Sequence, residues 1–392
     1  MKNKSILSIL LLFITGVVFS FTSCSKESPE ETKPSSLLKA TEVAIHLVNE
    51  KQEVLTGDAT VIISKRRPDV NMLVPREEKT VNTGKLTYRV FEDTEIRITV
   101  LKKGYNPIYK DLIVKPSDQT ISIVLTPKSG LTVLSYNVKD GFGGKISNNL
   151  TAFSNWVTKL DPDVIVFQEL VGFKKQELQE FAKTYGHDFS YLLKEEGYPT
   201  GITSKQVIKD AESILIKSNY PPYRVHGFIR AETFDLNILA VHFSSQSNDL
   251  VFQEANYVVD LAKELEKNAP VLIAGDFNSI TPVDEAMLGN KSWLGSMQKY
   301  RPSRVPFDYR TMKLFEDSPF KDAISQLNNK YYKASFPTRT DYLSSDFLGF
   351  RLDYCYLSES LAKQCDYVEI LQDSYSNTAS DHYPYLMHFK AQ

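Results

Sequence analysis

Three cysteines in 392 residues cannot build a disulfide framework. Glycine (17) and proline (18) are each about 4–5% of the chain, which leaves no room for a collagen-like or low-complexity architecture. Charge of one sign is also missing. Lys and Arg number 46 against 48 Asp and Glu, a net charge of −2, so nothing here has the basic excess of a nucleic-acid binder. Charged residues at 24% beside apolar residues at 42% exclude disorder and coiled coil as global readings. What the chain does have is aromatic material, with 21 Tyr and 22 Phe, ample for two cores. Its length allows two domains, at most three.

The start reads as an export signal. Lys2 and Lys4 precede a mostly apolar run, Ser5 to Phe21, too short to span a bilayer comfortably and followed by polar residues instead of a stop-transfer pattern. Thr22 and Ser23 then lead to Cys24. A small residue directly before a lone cysteine resembles a bacterial lipoprotein cleavage site, although Phe21 stands where leucine is usual. The expectation is a signal peptide over 1–23, a diacylated Cys24, and a flexible polar tether over 24–39. The acidic stretch after the cysteine resembles the surface-export signal of Bacteroidetes lipoproteins. That implies an outer-membrane lipoprotein held by its lipid anchor, facing the cell surface. An ordinary secretory signal with an incidental cysteine is the alternative.

Residues 40–127 show short alternating strands separated by turns. Val43, Ile45 and Leu47 alternate with polar neighbours, as does Ile62 between Thr60 and Ser64, and Leu86–Val90, Glu95–Leu101, Lys110–Val114 and Ile121–Leu125 follow. Five to seven strands without helical periodicity predict a small all-β sandwich. The stretch from Ile98 to Val114 resembles carboxypeptidase-regulatory or transthyretin-like modules. No cluster of His, Cys or paired carboxylates lies here, and His46 reads as a packed or surface residue. The region is expected to be a spacer or binding module, joined to the rest by a linker at Pro127–Gly130.

From 130 to 392 apolar strands alternate with amphipathic helices. Thr132–Tyr136, Asp163–Phe167, Phe234–Val241 and Pro270–Ala274 read as strands, the last three nearly continuous in apolar residues, as expected where both faces are covered. Asn148–Leu160 reads as a helix, and Val251, Ala255, Val258, Val259, Ala262 and Leu265 fall on one helical face. Polar residues stand repeatedly at the strand ends: Asn137, Gln168 with Glu169, His242, Asp276 with Asn278, Asp353, and Asp381 with His382. A lone Asp or Asn there is most simply a turn former or cap. The whole series suits phosphoester hydrolysis. Glu169 and Asp381 are hard oxygen donors fit for Mg²⁺. Asp276 is suited to orienting or deprotonating water, with Asn137 and Asn278 donating hydrogen bonds. His242 and His382 are suited to stabilising the phosphate and assisting the leaving oxygen.

The series "SYN", "QE", "GITSK", "VH", "GDFNS", "DY" and "SDH" resembles the endonuclease/exonuclease/phosphatase superfamily, over about two thirds of the chain. The resemblance implies an α+β fold, a four-layer α/β/β/α sandwich, preceded here by the small all-β domain. It implies a divalent metal (Mg²⁺, or Mn²⁺ or Ca²⁺), with Glu169 as principal ligand and Asn137 and Asp381 completing its site. Asp276 and Asn278 would position the nucleophile, His382 would contact the phosphate, and Asp353 would orient His382. His242 matches the second histidine of the deoxyribonuclease branch. Where pancreatic deoxyribonuclease carries a groove-reading arginine two residues after its metal-binding glutamate, this chain has Val171.

From Gly130 onward 27 basic residues face 33 acidic ones, a net charge of −6. A phosphate-ester substrate, most simply a lipid headgroup or another small diester, is therefore expected ahead of DNA or RNA, and a monomer is expected. An extracellular nuclease stays open as an alternative, and so does a surface-binding lipoprotein that has lost its activity. Local positive charge collects over 296–321, where Lys299, Arg301, Arg304, Arg310 and Lys313 stand among aromatics as either a substrate-contacting loop or a solvated insertion. Cys355 and Cys365 are expected as buried free thiols, and His187, His226 and His388 have no evident partner.

Overall fold

The computed structural model describes residues 39–67, 71–115, 117, 119–215, 227–245, 247–284, 308–328, 330–338 and 349–391. The expected signal peptide, Cys24 and the tether up to residue 38 lie outside these residues, as do His226 and the first half of the basic segment. Among the described residues no helix is long and apolar enough to cross a membrane.

Seven strands form the all-β region: β1 (Ala40–Val48), β2 (Ala59–Arg66), β3 (Leu73–Val81), β4 (Lys85–Phe91), β5 (Glu95–Leu101), β6 (Ile108–Ile113) and β7 (Thr120–Val124). They pair as two sheets, ordered β4-β1-β7 and β3-β2-β5-β6, around a core of Val43, Ile45, Val61, Ile63, Ile98 and Val100. Strand β3 escaped the sequence reading because "LVPREEKTV" carries four charges; it is an edge strand, where charge is the usual protection against stray pairing.

Twelve further strands follow: β8 (Leu131–Asn137), β9 (Val164–Gln168), β10 (Phe189–Leu192), β11 (Gly201–Ser204), β12 (Lys209–Leu215), β13 (Gly227–Thr233), β14 (Leu236–His242), β15 (Val271–Asp276), β16 (Lys321–Asp322), β17 (Asp353–Leu357), β18 (Cys365–Ile370) and β19 (Tyr385–Phe389). They make two six-stranded sheets, β10-β11-β9-β8-β19-β18 and β12-β13-β14-β15-β17-β16. Side-chain parity explains the layering. Val133, Val164, Val166, Ile238, Ala240, Leu272, Ala274 and Cys355 meet in one core between the sheets. Their neighbours Leu134, Tyr136, Ile165 and Phe167 turn the other way, against Phe153 and Trp156 of the helix Ser147–Leu160 and Phe181 of the helix Lys175–Lys183. On the second sheet Leu239, Val241 and Ile273 meet Val251, Ala255 and Val258 of the helix Asn248–Glu266. Successive strand residues point to opposite faces, so two helix-covered sheets give four layers.

The basic segment resolves differently from a substrate loop in its described part. Arg310–Glu316 is a helix that buries Met312 and Phe315 in the second sheet's outer core. Arg310 is tied to Asp249 and Lys313 to Asp317, so neither charge is directed to the strand ends. The expected linker is also no slack joint. Pro127 bridges Tyr105, the Ser129 N–H donates to Asn106 Oδ1 at 2.9 Å, and Lys128 Nζ reaches Asp163 at 2.9 Å. Lys39–Gln392 form one compact unit.

Cys355 and Cys365 are buried free thiols, and burial pushes the Cys365 thiol up to about 12, which makes it inert. His388 lies between Asp366 and the Ser129 carbonyl, 2.6 Å from each. His187 is buried with Nε2 2.9 Å from the Pro162 carbonyl and Nδ1 2.9 Å from Thr203 Oγ1. A carbonyl only accepts, so Nε2 carries the hydrogen and Nδ1 accepts from the threonine hydroxyl. Burial is the main cause that lowers its pKa from 6.5 to about 4. Neutral His187 is thus favoured in the folded state. Its contribution, about 3 kcal/mol, is fully present above the unfolded value near 6.5 and is lost as pH falls towards about 4. In urea titrations the wild type should lose stability between pH 7 and 4.5 more steeply than His187→Gln. Parallel curves would remove His187 as the cause.

Candidate active site

The polar strand ends share the parity of the inter-sheet core. Asn137 follows Val133 and Ser135 on β8, His242 follows Ile238 and Ala240 on β14, and Asp276 follows Leu272 and Ala274 on β15. Register aligns them further. His242 pairs with Asp276, and Asp276 with Asp353, across three adjacent strands of one sheet, while Asn137 pairs with Gln168 in the other. Asn137 Nδ2 then spans the gap to Asp276 Oδ2 at 3.2 Å. A one-residue slip of any strand would turn its residue out of this group. Gly275 makes the close approach feasible: with φ +147°, an added Cβ would lie 1.8 Å from the Val241 carbonyl oxygen. Gln168 stays inside, its amide donating to Ser135 Oγ at 3.4 Å.

Glu169 sits one residue past β9 with φ +63°, a conformation that non-glycine residues adopt at a cost of about 1–3 kcal/mol and that clusters at functional sites. A left-handed turn holds it. Every φ from Lys139 to Lys145 is positive, and Gly141 is obligatory there because a Cβ would meet the Val171 carbonyl oxygen at 2.1 Å. The Asp140 N–H donates to Glu169 Oε2 at 3.0 Å, and the Gly141 N–H to the Glu169 carbonyl at 2.7 Å. Phe142 pins the turn, packed edge-on against Phe153 and Phe181. Asn137 Nδ2 donates to Glu169 Oε1 at 3.2 Å. Burial raises the Glu169 pKa, and the Asp140 N–H and His382 act against it.

Opposite lies a carboxylate–imidazole cluster. His382 Nδ1 is 2.7 Å from Asp353 Oδ2, and His382 Nε2 is 3.8 Å from Asp276 Oδ2. His242 Nε2 approaches the same Asp276 oxygen at 3.5 Å. The Asn278 N–H donates to Asp276 Oδ1 at 2.8 Å, and Asn278 itself has φ +46°. Burial disfavours a charged His382, yet Asp353 and Asp276 outweigh it and push its pKa up to about 10. Burial likewise pushes the Asp276 carboxyl up, with His382 and His242 pulling it back.

These groups surround a cleft of about 250 Å³ lined by Lys139, Asp140, Glu169, Tyr198, His242, Ser245, Asp276, Asn278, Phe336, Asp381 and His382. Asn137 and Asp353 support it from behind. Two sets of side chains offer metal ligands. Asp276, Asp353 and His382 have ligand atoms all within 4.8 Å of one another. That set already satisfies itself, and a protonated imidazole has no lone pair to give a metal. Glu169, which shares the cleft lining with Asp381 and accepts from Asn137, suits a hard divalent cation better: its two bonded donors are neutral N–H groups, so it keeps its full negative charge for a cation. Tyr198, Ser245, Phe336 and Lys139 carried no signal in the sequence, being loop residues without periodicity.

The model of the Endonuclease/Exonuclease/phosphatase family matches residues 134–382. A 3′ phosphatase from Neisseria, solved with a product DNA hairpin, is similar in fold, with 17% identity, a TM-score of 0.52, and 67% of this chain and 100% of that chain covered. A 3′–5′ exonuclease from Neisseria meningitidis gives 17% identity, a TM-score of 0.50 and the same coverage, 67% and 100%. No protein of curated function matches the chain in sequence.

Proposed function

The chain belongs to the Endonuclease/Exonuclease/phosphatase family, and on that premise we propose that it is a divalent-metal-dependent phosphodiesterase acting on a lipid headgroup or another small diester. The observation that carries the reading is one cleft lined by Glu169, Asp381 and His382, the last held from behind by Asp353 at 2.7 Å. Glu169, Asp381 and Asn137 would hold the metal, Mg²⁺ first and Mn²⁺ or Ca²⁺ as substitutes, and when bound it would supply charge neutralisation at a phosphate oxygen. Asp276, fixed by the Asn278 N–H, orients the attacking water and takes its proton; burial moves its carboxyl towards the range of a working base. Cationic His382 donates to the phosphate as it gains charge, with Asp353 holding its ring. His242 supplies the proton for the leaving oxygen.

Lys139 is the one Lys or Arg among the described residues of the cleft lining, and the chain from Gly130 on is net −6, which favours a small substrate. A polyanion contacted at six or more phosphates would lose about 10³-fold or more in affinity between 50 and 200 mM salt, whereas one phosphate contact gives a shallow dependence. The expected result is a nearly flat kcat/KM against salt for a small diester or phospholipid at fixed Mg²⁺, exceeding that for DNA. Efficient, steeply salt-dependent DNA cleavage would establish instead the nuclease reading, the one closer to the Neisseria 3′ phosphatase with its product DNA hairpin.

The signal, Cys24 and the polar tether support a lipid-anchored protein of the outer membrane. Cys24→Ala should move the protein from the membrane pellet to the soluble fraction. Equal pelleting of both forms would end the lipoprotein reading.

A further inference from the structure

One segment, Tyr331–Thr338, touches both the all-β region and the acid–histidine cluster. At its first end the Tyr332 N–H donates to the Asn71 carbonyl at 2.8 Å, and Tyr332 bridges Met72. Next to it, buried Lys333 pairs with Glu369 of β18. The all-β region grips the same glutamate: Thr99 Oγ1 donates to it at 2.9 Å and the Arg97 guanidinium lies 3.6 Å away. Arg97 is 1% exposed, holds Asp111 through two hydrogen bonds of 2.6 and 2.7 Å, and stacks over the Tyr109 ring at 3.8 Å.

Two residues further on the segment meets the site. Ser335 Oγ, fully buried, accepts the backbone N–H of Leu352 and of Asp353, each at 3.0 Å. The Ser335 carbonyl takes the Tyr383 N–H at 2.7 Å. The Phe336 ring centroid is 4.9 Å from that of His382, and the Thr338 N–H donates to the Asp381 carbonyl at 3.0 Å. A buried charge network is costly to assemble and demands one geometry, so it fixes the position of whatever it includes. Here it includes Lys333, two residues from the serine that holds Asp353.

We propose that Tyr331–Thr338 is a strap through which the all-β region fixes the His382–Asp353 pair, so that Arg97, Thr99 and Glu369 are positioning residues for phosphoester hydrolysis. This rests on the reading of His382 given above. On this proposal the all-β region, expected as a spacer or binding module, completes the catalytic frame. None of the three residues lines the cleft, so their loss should act on kcat and leave KM alone.

The test compares full-length Arg97→Met and Thr99→Val with Val43→Ala, which opens the all-β core away from the strap. Both strap variants should lower kcat about ten-fold with KM unchanged, because small displacements of catalytic groups are costly. Val43→Ala should lower the melting temperature and keep wild-type kcat while folded. Thr99→Val is nearly isosteric and decides the matter if Arg97→Met does not fold. Amide exchange of Leu352 and Asp353, followed by NMR, should quicken about ten-fold in Thr99→Val and stay at the wild-type rate in Val43→Ala. Wild-type kcat with unchanged exchange in Thr99→Val overturns the strap. If the wild type hydrolyses no phosphoester, the functional reading fails, and the exchange measurement still decides whether the strap exists.

Discussion

Glu169→Gln is expected to lower kcat by about 10³-fold while leaving the melting temperature near that of the wild type, because one electrostatic stabiliser of that kind is worth about two to three orders of magnitude. The substitution keeps length and shape, and an amide oxygen can still accept from the Asp140 N–H or from Asn137 Nδ2, the two donors that hold the carboxylate now. What it removes is the negative charge in the buried corner. Divalent-cation binding followed by calorimetry should weaken in parallel with turnover. Undiminished turnover in the variant, or wild-type turnover in excess EDTA, would show that the metal sits elsewhere or is not needed. A wild-type chain inert towards all phosphoesters would instead favour the binding-lipoprotein alternative.

His382→Ala and Asp353→Asn should each lower kcat by about 10³-fold, and the double variant by no more than about ten-fold beyond the worse single. The 2.7 Å contact between His382 Nδ1 and Asp353 is the reason. Asp353 raises the imidazole pKa against the opposing effect of burial, and it fixes which ring nitrogen faces the cleft. Once either member is gone, the other has nothing left to orient or be oriented by. Side-by-side kcat measurements on folded proteins, checked by circular dichroism, test the pairing. Losses that multiply across the two changes would mean that they act independently.

The strand ends were legible because buried strands write themselves as apolar runs, and an abrupt Asp, Asn or His at the end of "VLIAGDFN" or "LNILAVH" has no solvent-facing excuse. The helix Asn248–Glu266 was legible from its 3.6-residue stripe. Strands β3 and β12 were not, since their edge positions tolerate charge and leave no apolar alternation to read. Arg97 was hidden for a different reason. In "EIRITVL" it reads as the outward residue of an alternating strand paired with nearby Asp111, and the second carboxylate it faces, Glu369, lies far along the chain. Ser335 is invisible in the same way: it acts by accepting two backbone N–H groups, a service no side-chain pattern announces.

Asn137, His242, Asp276 and Asp353 are the terminal residues of sheet strands, whereas Tyr198 and Ser245 at the mouth belong to connecting segments. Floor and mouth therefore answer to different selective demands. The floor can change only together with the ladders that carry it, while connections tolerate substitution and insertion. Substitutions at the mouth are expected to change what the cleft admits while the strand-end groups keep their places. A laboratory library aimed at new esters belongs at positions 198 and 245, with the strand termini held constant.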